Sequence, residues 1–231
     1  MIDPLNDGKS FVRLVDYMGS DLTVVNAARV SMHKESEWLN EGQLNSRDCG
    51  LISYLAKNNH WTPFSHPQIQ LHIKMPLFIA RQWFKSSVGF TRNEVSRRYV
   101  RDDVEFYIPQ GWRLAADDIK QGSSEETFES EGGIIRQATI LTTQQATRLY
   151  NNMLAIGVCP EQARTVLPQS LYTEFYETAS LAAYARLANL RLDRHTQAET
   201  RNYAQAVSDI VSNLFPISWE ALTCDRNYRP D

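Results

Sequence analysis

Hydrophobic and polar residues alternate most clearly over residues 68–75, where Ile69, Leu71, Ile73 and Met75 occupy every second position. A period of two residues is typical of a β-strand that buries one face. The alternation stops at Pro76, which can occupy the first turn of a following helix. We therefore predict a half-buried strand that leads directly into a helix.

Two shorter segments also predict strands. Residues 11–17 and 104–109 are rich in β-branched and aromatic side chains, which favour extended structure. Together with residues 68–75, they predict a small sheet.

Apolar residues spaced three and four positions apart predict a series of helices. The first begins at Asp21, a residue type that favours the N-cap position. A later helix begins at Thr142 or Thr143, and the last begins with a capping box formed by Thr196 and Glu199. The other helices are expected at residues 47–57, 77–84, 160–167 and 172–190.

Residues 115–139 interrupt this pattern with acidic, serine and glycine residues of weak periodicity. Such a segment is typical of a surface insertion or a disordered loop. The chain as a whole predicts an α+β fold. We expect one mostly helical domain over residues 1–231 with a small antiparallel sheet.

Composition is consistent with a globular protein and excludes several other classes. Of the 231 residues, 42% are hydrophobic and 22% are charged. The three cysteines are widely spaced without a Cys-x-x-Cys pair, so we expect reduced thiols and no metal site. The first residues do not resemble a secretory leader, and no apolar run approaches the length of a membrane span. We therefore expect a cytoplasmic protein that does not contact a membrane.

The net charge of −3 disfavours a nucleic-acid-binding surface, but the charge is unevenly distributed. Residues 81–101 carry six basic side chains against the single acid Glu94, a local net charge of +5. Trp83, Phe84, Phe90 and Tyr99 lie within the same segment. Guanidinium groups beside aromatic rings suit a planar anionic ligand such as a nucleotide. A charged helix end paired with acids elsewhere is the alternative interpretation.

The basic residues after Lys120 are all arginines. Arg164, Arg186 and Arg191 lie on predicted helices, and arginine suits bidentate recognition of phosphate or of a base edge. Salt bridges on exposed helix faces are the alternative. The chain has no glycine-rich phosphate loop, so phosphate binding would depend on such side chains.

Eight blocks of the sequence resemble, in order, those of the flavin-dependent thymidylate synthases. Together they span nearly the whole chain, which makes the set far more specific than any one block. The blocks are Phe11-Val12-x-Leu14-Val15-Asp16-x-Met18-Gly19-x-Asp21-Leu22, Ala27-Ala28-Arg29-Val30-Ser31, His60-x-Thr62-Pro63-Phe64-x-His66, Arg81-Gln82-Trp83-Phe84, Asn93-Glu94-x-Ser96-x-Arg98-Tyr99, Glu105-Phe106-Tyr107-Ile108-Pro109, Glu161-x-Ala163-Arg164-x-Val166-Leu167-Pro168 and Leu190-Arg191-x-Asp193-x-His195-x-Gln197-x-Glu199.

This resemblance implies a homotetramer with active sites between subunits. Each site would hold FAD over dUMP, with methylenetetrahydrofolate as carbon donor and NADPH as reductant. The resemblance also implies a catalytic role for Arg191, because a fixed cation beside the uracil ring favours negative charge that develops on it. Glu94 is expected where nucleotide and flavin meet. The implied dUMP residues are Gln82, Glu94, Ser96, Arg98, Arg164 and Arg191.

The implied flavin site departs from the family pattern. Lys85-Ser86-Ser87 stands where the family carries Arg-His-Arg, and the segment that follows is one residue longer. We expect Arg92 and Arg186 to compensate for the lost charge. The implied FAD residues are Ser31, His60, Thr62, Lys85, Arg92, Glu94 and Arg186.

Three functional hypotheses follow from these observations. The first is reductive methylation of dUMP to dTMP. The second is C5-methylation of another uracil nucleotide, such as UMP, by the same kind of enzyme. The third, more distant, is a non-catalytic protein that binds nucleic acid through residues 81–101.

Overall fold

The computed structural model describes residues 1–40, 42–99, 104–115, 123–128 and 131–224. Four strands form an antiparallel sheet in the order β1-β2-β6-β3, and β4 pairs with β5 in a separate two-stranded sheet. The strands are β1 (Phe11–Met18), β2 (Gln68–Pro76), β3 (Phe90–Glu94), β4 (Arg113–Ala115), β5 (Ser123–Thr127) and β6 (Tyr172–Ser180).

Helices contribute most of the regular structure in the described part of the chain. They are α1 (Asp21–Arg29), α2 (Ser46–Lys57), α3 (Leu77–Trp83), α4 (Glu131–Ala155), α5 (Pro160–Ala163), α6 (Leu181–Arg191), α7 (Ala198–Leu214) and α8 (Pro216–Thr223). Three short 3-10 turns cover Val30–Met32, Thr62–Ser65 and Arg164–Val166. The predicted combination of helices with a small antiparallel sheet is confirmed.

The main core lies between the sheet and the helices. The alternating residues of β2, from Ile69 to Met75, are fully buried, which confirms the predicted strand with one buried face. Trp83, Tyr184 and Tyr203 are the largest buried side chains supplied by α3, α6 and α7. Because α3 follows β2 directly and α6 follows β6 directly, the sheet fixes where both helices begin.

The prediction of one helix over residues 172–190 is wrong in its first half. Residues 172–180 form β6, which pairs with β2 on one side and β3 on the other. The apolar residues Tyr172, Phe175, Tyr176 and Ala179 have helical spacing, which explains the error. In the fold, backbone pairing with two neighbouring strands outweighs that local pattern.

Two other strand predictions need correction. Residues 104–109 do not form a strand; Phe106 makes only an isolated bridge to Leu171. The sequence pattern did not predict β3, although it pairs with β6 from Phe90 to Glu94. Its side chains alternate little in polarity, and backbone pairing with β6 places it at the sheet edge.

Of the expected insertion at 115–139, residues 116–122, 129 and 130 lie outside the described part of the chain, and the remainder contains regular structure. Ala115 ends β4, residues 123–127 form β5, and α4 already begins at Glu131. The predicted start of that helix at Thr142 or Thr143 is therefore wrong. Both threonine hydroxyls donate within the helix, to the carbonyls of Ala138 and Ile140, so neither serves as a cap.

The predicted caps of the first and last long helices also differ from the structure. Ser20 is the N-cap of α1, and the buried Asp21 instead accepts the backbone N–H groups of Ile217 and Ser218 at 3.0 and 2.9 Å. Its carboxylate thus caps α8, an anion at a helix N-terminus. Gln197 is the N-cap of α7 and no side chain caps it, so the predicted Thr196 and Glu199 capping box is wrong.

Candidate functional site

The last residue of α6 contacts the end of α3. Arg191 Nη2 donates to the backbone carbonyl of Gln82 at 2.5 Å. Its Nε atom is buried and has no hydrogen-bond partner among the described residues. Burial lowers the pKa of Arg191 below its ordinary value, because the charged guanidinium is partly removed from water. The structure thus places a partly buried cation with an unused donor beside Gln82.

The side-chain amide of Gln82 bonds to two residues around the start of α7. Its Nε2 atom donates to Gln197 Oε1 at 2.5 Å, and its Oε1 atom accepts the Thr200 hydroxyl at 3.3 Å. Thr200 is fully buried. The amide is therefore held at both ends, close to Arg191.

A partly buried ion pair lies next to this amide pair. Arg113 Nη2 donates to both carboxylate oxygens of Glu199, at 2.7 and 2.8 Å, and Gln197 Nε2 donates to the same carboxylate at 3.0 Å. Burial, together with the negative charge of Glu199, raises the pKa of Tyr107 to about 12. The Glu199 side chain thus accepts from both Arg113 and Gln197, and the raised pKa keeps the neighbouring Tyr107 phenol protonated at neutral pH.

Three predicted nucleotide residues lie around the end of β3. Glu94 ends the strand, and its carboxylate accepts the Thr173 hydroxyl at 2.5 Å. The Ser96 hydroxyl accepts both the backbone N–H and the Nε of Arg98, at 3.3 and 3.4 Å. The Arg98 guanidinium lies 5.2 Å from the centre of the Tyr99 ring and is exposed. Ser96 and Arg98 therefore form one local pair available to an anion.

Arg164 begins the 3-10 turn Arg164–Val166 and is exposed. No described residue forms a hydrogen bond with its guanidinium. The preceding residue, Ala163, is fully buried and anchors the turn. The backbone at Arg164 is thus fixed, and its guanidinium is accessible to a ligand.

Arg92 faces the protein interior. Its Nε donates to the fully buried carboxylate of Glu177 at 2.5 Å, and the indole N–H of Trp83 donates to the same group. The guanidinium lies 5.1 and 4.6 Å from the ring centres of Phe84 and Phe90. Burial raises the pKa of Glu177, and the Arg92 charge opposes that rise. Arg92 is the residue expected to compensate for lost charge at the flavin site. Its guanidinium instead links β3 to β6 on the buried side of the sheet.

Lys85 and Arg186 are the exposed cations of the predicted flavin set. Arg186 Nη2 donates to the carbonyl of Val88 at 3.0 Å, which holds the loop after α3 against α6. Gly89 has a φ of +81°, and a Cβ atom there would lie 3.2 Å from Ala183 Cβ. The close approach of this loop to α6 thus requires a glycine.

The remaining predicted flavin residues lie around the end of α1. Ser31 is exposed and donates to the carbonyl of Ala28 at 2.9 Å, while His60 and Thr62 are exposed at the 3-10 turn Thr62–Ser65. A cavity of about 500 Å³ lies between these two segments. It is lined by Ser20, Leu22, Thr23, Asn26, Ala27, Val30 and His66.

Sequence reasoning missed the supporting residues Arg113, Gln197 and Thr200. Arg113 lies 86 positions from its partner Glu199, so no local pattern could connect them. Gln197 and Glu199 lie within a recognised block, but the spacing of Thr196 and Glu199 predicts a capping box instead. The contact between Arg113 of β4 and Glu199 of α7 appears only in the tertiary structure.

Neither a metal site nor a membrane span is found in the part of the chain that the structure describes. No group of three or more His, Cys, Asp and Glu side chains there could hold a metal ion. No described helix is both long and apolar enough to cross a membrane.

Comparisons with known proteins identify the family of the chain. Residues 13–217 match the family described as thymidylate synthase complementing protein. A flavin-dependent thymidylate synthase of Thermus thermophilus is 39% identical over 214 residues, covering 92% of this chain and 75% of that protein. One from Thermosipho africanus is 37% identical over 216 residues, covering 92% and 90%.

Solved structures give the same result. The UMP/dUMP methylase PolB from Streptomyces cacaoi, bound with 5-Br dUMP, is 30% identical with a TM-score of 0.83, covering 96% of this chain and 97% of that chain. Its structure bound with 5-Br UMP is 27% identical with a TM-score of 0.82, covering 96% of each. The chain belongs to the thymidylate synthase complementing family, whose curated members include the flavin-dependent thymidylate synthases. The resemblance inferred from the sequence blocks is confirmed, and the protein is an enzyme of the methyltransferase class.

Proposed function

We propose that the chain converts dUMP to dTMP by reductive methylation. In this reaction uracil C5 loses its proton and gains a bond to the methylene carbon of methylenetetrahydrofolate. Hydride reduction of that carbon then gives the methyl group and releases tetrahydrofolate, with NADPH as the final electron source. The observation that carries the proposal is the partly buried guanidinium of Arg191, held by the Gln82 carbonyl with its Nε unused.

The proposed role of Arg191 follows from its environment. Attack through C5 places negative charge on the uracil ring and its carbonyl oxygens. A guanidinium that is already oriented and partly desolvated stabilises that charge more strongly than one in water. Gln82 lies beside it and can contact the same base through its amide.

The phosphate of the nucleotide is assigned to Ser96, Arg98 and Arg164. Arg98 and Arg164 are exposed, and arginine binds phosphate through paired N–H donors. The Ser96 hydroxyl already accepts from Arg98, so its own proton remains available to donate. Glu94, held by Thr173, would contact the nucleotide where it meets the flavin.

The residues present fit FAD in two places. Lys85 and Arg186 supply exposed positive charge beside the glycine-containing loop, which suits the pyrophosphate. The cavity next to Ser31 and Thr62 combines polar and apolar lining, which suits part of the ring system or the adenosine. The bound flavin would supply the hydride. Arg92 would support β3 from inside the fold and would not contact the phosphates.

A homotetramer with sites between subunits is also proposed. Ile134, Leu141, Leu149 and Ile156 are exposed and form one stripe along α4 and its C-terminal end. A stripe of this length on a water-facing helix is typical of an interface. Sedimentation analysis should give four times the 26.5 kDa chain mass, and Leu141→Lys with Leu149→Lys should give smaller species.

The decisive experiment combines a spectrum with a product assay. Purified protein loaded with FAD should show flavin absorbance that NADPH bleaches, measured with and without dUMP. Addition of methylenetetrahydrofolate should then yield dTMP, detected by chromatography. Protein that does not bind FAD, or that binds it without forming dTMP, would contradict the proposal.

UMP is the second candidate substrate. The structural neighbour PolB is described as a UMP/dUMP methylase and was solved with both brominated nucleotides. Competition between UMP and dUMP in the product assay separates the two. Preference for dUMP supports the first proposal, and preference for UMP replaces it with the second.

A further inference from the structure

The side chains around Gln82 form a hydrogen-bonded chain with a defined direction. It runs from Arg113 through Glu199 and Gln197 to Gln82 and ends at Thr200. The distances along it are 2.7, 3.0, 2.5 and 3.3 Å. This series of hydrogen bonds joins β4, the start of α7 and the end of α3.

The carboxylate of Glu199 determines this direction. An ionised carboxylate can only accept, so Gln197 must turn its NH₂ group toward Glu199. The Gln197 carbonyl oxygen then faces Gln82, which must present its own NH₂ group in turn. Arg113 Nη2 donates to both oxygens of Glu199, so both oxygens already act as acceptors.

The side-chain amide of Gln82 keeps one hydrogen-bond donor free. The Nε2 atom has two hydrogens, and Gln197 accepts one of them. The Oε1 atom already accepts from the buried Thr200 hydroxyl. An N–H group of Gln82 therefore remains for a ligand, and Arg191 contacts the same residue at its backbone carbonyl.

We propose that Gln197 and Glu199 are positioning residues that keep an N–H group of Gln82 directed at the nucleotide base. The inference rests on the proposed function, because it assumes that a uracil nucleotide occupies this site. Uracil presents carbonyl oxygens, which accept from such an N–H group. If the amide could rotate, its oxygen would face those carbonyls for part of the time and would repel them. The chain of bonds therefore favours a base with carbonyl acceptors.

The test compares two glutamines on or beside α7. Gln197→Met keeps the length of the side chain and breaks the link to Glu199. Gln205→Met is the matched control, because exposed Gln205 also donates to a carboxylate, that of Asp209 at 2.7 Å, without contact to Gln82. Calorimetric titration of the FAD-loaded variants would use dUMP and, separately, deoxyribose 5-phosphate, which lacks the base.

Gln197→Met should weaken dUMP binding about tenfold, the effect of one lost or misdirected hydrogen bond. Binding of deoxyribose 5-phosphate should stay unchanged, and Gln205→Met should change neither affinity. A purely structural role would weaken both ligands together, and that result overturns the inference. Unchanged dUMP affinity overturns it as well.

Glu199→Gln provides a second variant in case Gln197→Met does not fold. Its amide can donate as well as accept, so the direction of the chain is lost and the same selective weakening of dUMP binding is expected. Equal weakening of both ligands contradicts the inference here too. Failure of the unaltered protein to bind either dUMP or UMP is a different result, because it contradicts the proposed function itself.

Discussion

Arg191 Nη2 and the backbone carbonyl of Gln82 are 2.5 Å apart, and this contact joins the end of α6 to the end of α3. The two helices leave opposite ends of the antiparallel pair of β2 and β6. Residues more than a hundred positions apart in sequence thus meet at one site. The contact orients the guanidinium and leaves its Nε for a ligand.

Arg191→Ala should lower kcat at least a hundredfold and weaken dUMP binding less than tenfold. The interaction with the base grows as charge develops in the transition state, so turnover depends on it more than binding does. Steady-state kinetics and calorimetry measure the two effects. Arg201→Ala is the control, because Arg201 also donates to a backbone carbonyl, that of Arg194. Unchanged kcat in Arg191→Ala would remove this residue from the mechanism.

Arg164→Ala should weaken nucleotide binding about tenfold or more with little change in kcat. Its guanidinium is exposed and serves no bond among the described residues, so the fold should tolerate the change. Titration with dUMP and with deoxyribose 5-phosphate should show equal losses, because the contact is assigned to the phosphate. A loss of affinity confined to dUMP would indicate that Arg164 contacts the base and not the phosphate.

Lys85→Met and Arg186→Met should each lower FAD affinity several-fold, and the double variant should lower it further. Lys85 lies in the loop that contains Gly89 and Arg186 contacts this loop from α6, so each change removes one exposed positive charge there. Fluorescence titration with FAD measures the affinity, and Lys57→Met at the exposed end of α2 is the control. Equal FAD affinity in all variants would place the pyrophosphate elsewhere.

Breaking the buried pair of Arg92 and Glu177 should destabilise the fold strongly. Arg92→Met leaves the carboxylate without its charged partner inside the protein, and we expect a loss of about 3 kcal/mol in the free energy of unfolding. The double variant with Glu177→Leu should lose less, because it removes both buried charges. Urea unfolding tests this. Additive losses in the double variant would show that the pair is not coupled.

Asp48→Asn should cost stability at neutral pH and much less in acid. Burial alone would raise the pKa of Asp48, but hydrogen bonds from Arg29 and Ser36 and the Arg29 charge lower it overall. A lowered pKa in the folded state means that this stabilisation is present above about pH 4 and is lost as the pH falls further. The difference in urea midpoint between Asp48→Asn and the unaltered protein should therefore shrink from pH 7 to pH 3.5. Asp209→Asn, at an exposed position of α7, is the control.

The sequence by itself determined the features with strong local or familial signals. The alternation along residues 68–75 predicted β2, because one buried face imposes that period. The order of the motif blocks predicted the family, because matching residues at many separate positions seldom arise together by chance. The local charge of residues 81–101 pointed to an anionic ligand.

Tertiary structure decided what local patterns could not. Residues 172–180 have helical spacing yet form a strand, because β2 and β3 pair with them on both sides. Arg92 and Arg186 carry the same charge. Arg92 faces the interior because it pairs with the buried Glu177, whereas Arg186 is exposed. The direction of the bonds from Arg113 to Gln82 likewise depends on contacts between distant segments. Such outcomes depend on contacts between side chains that are distant in sequence. A local sequence pattern does not specify those contacts.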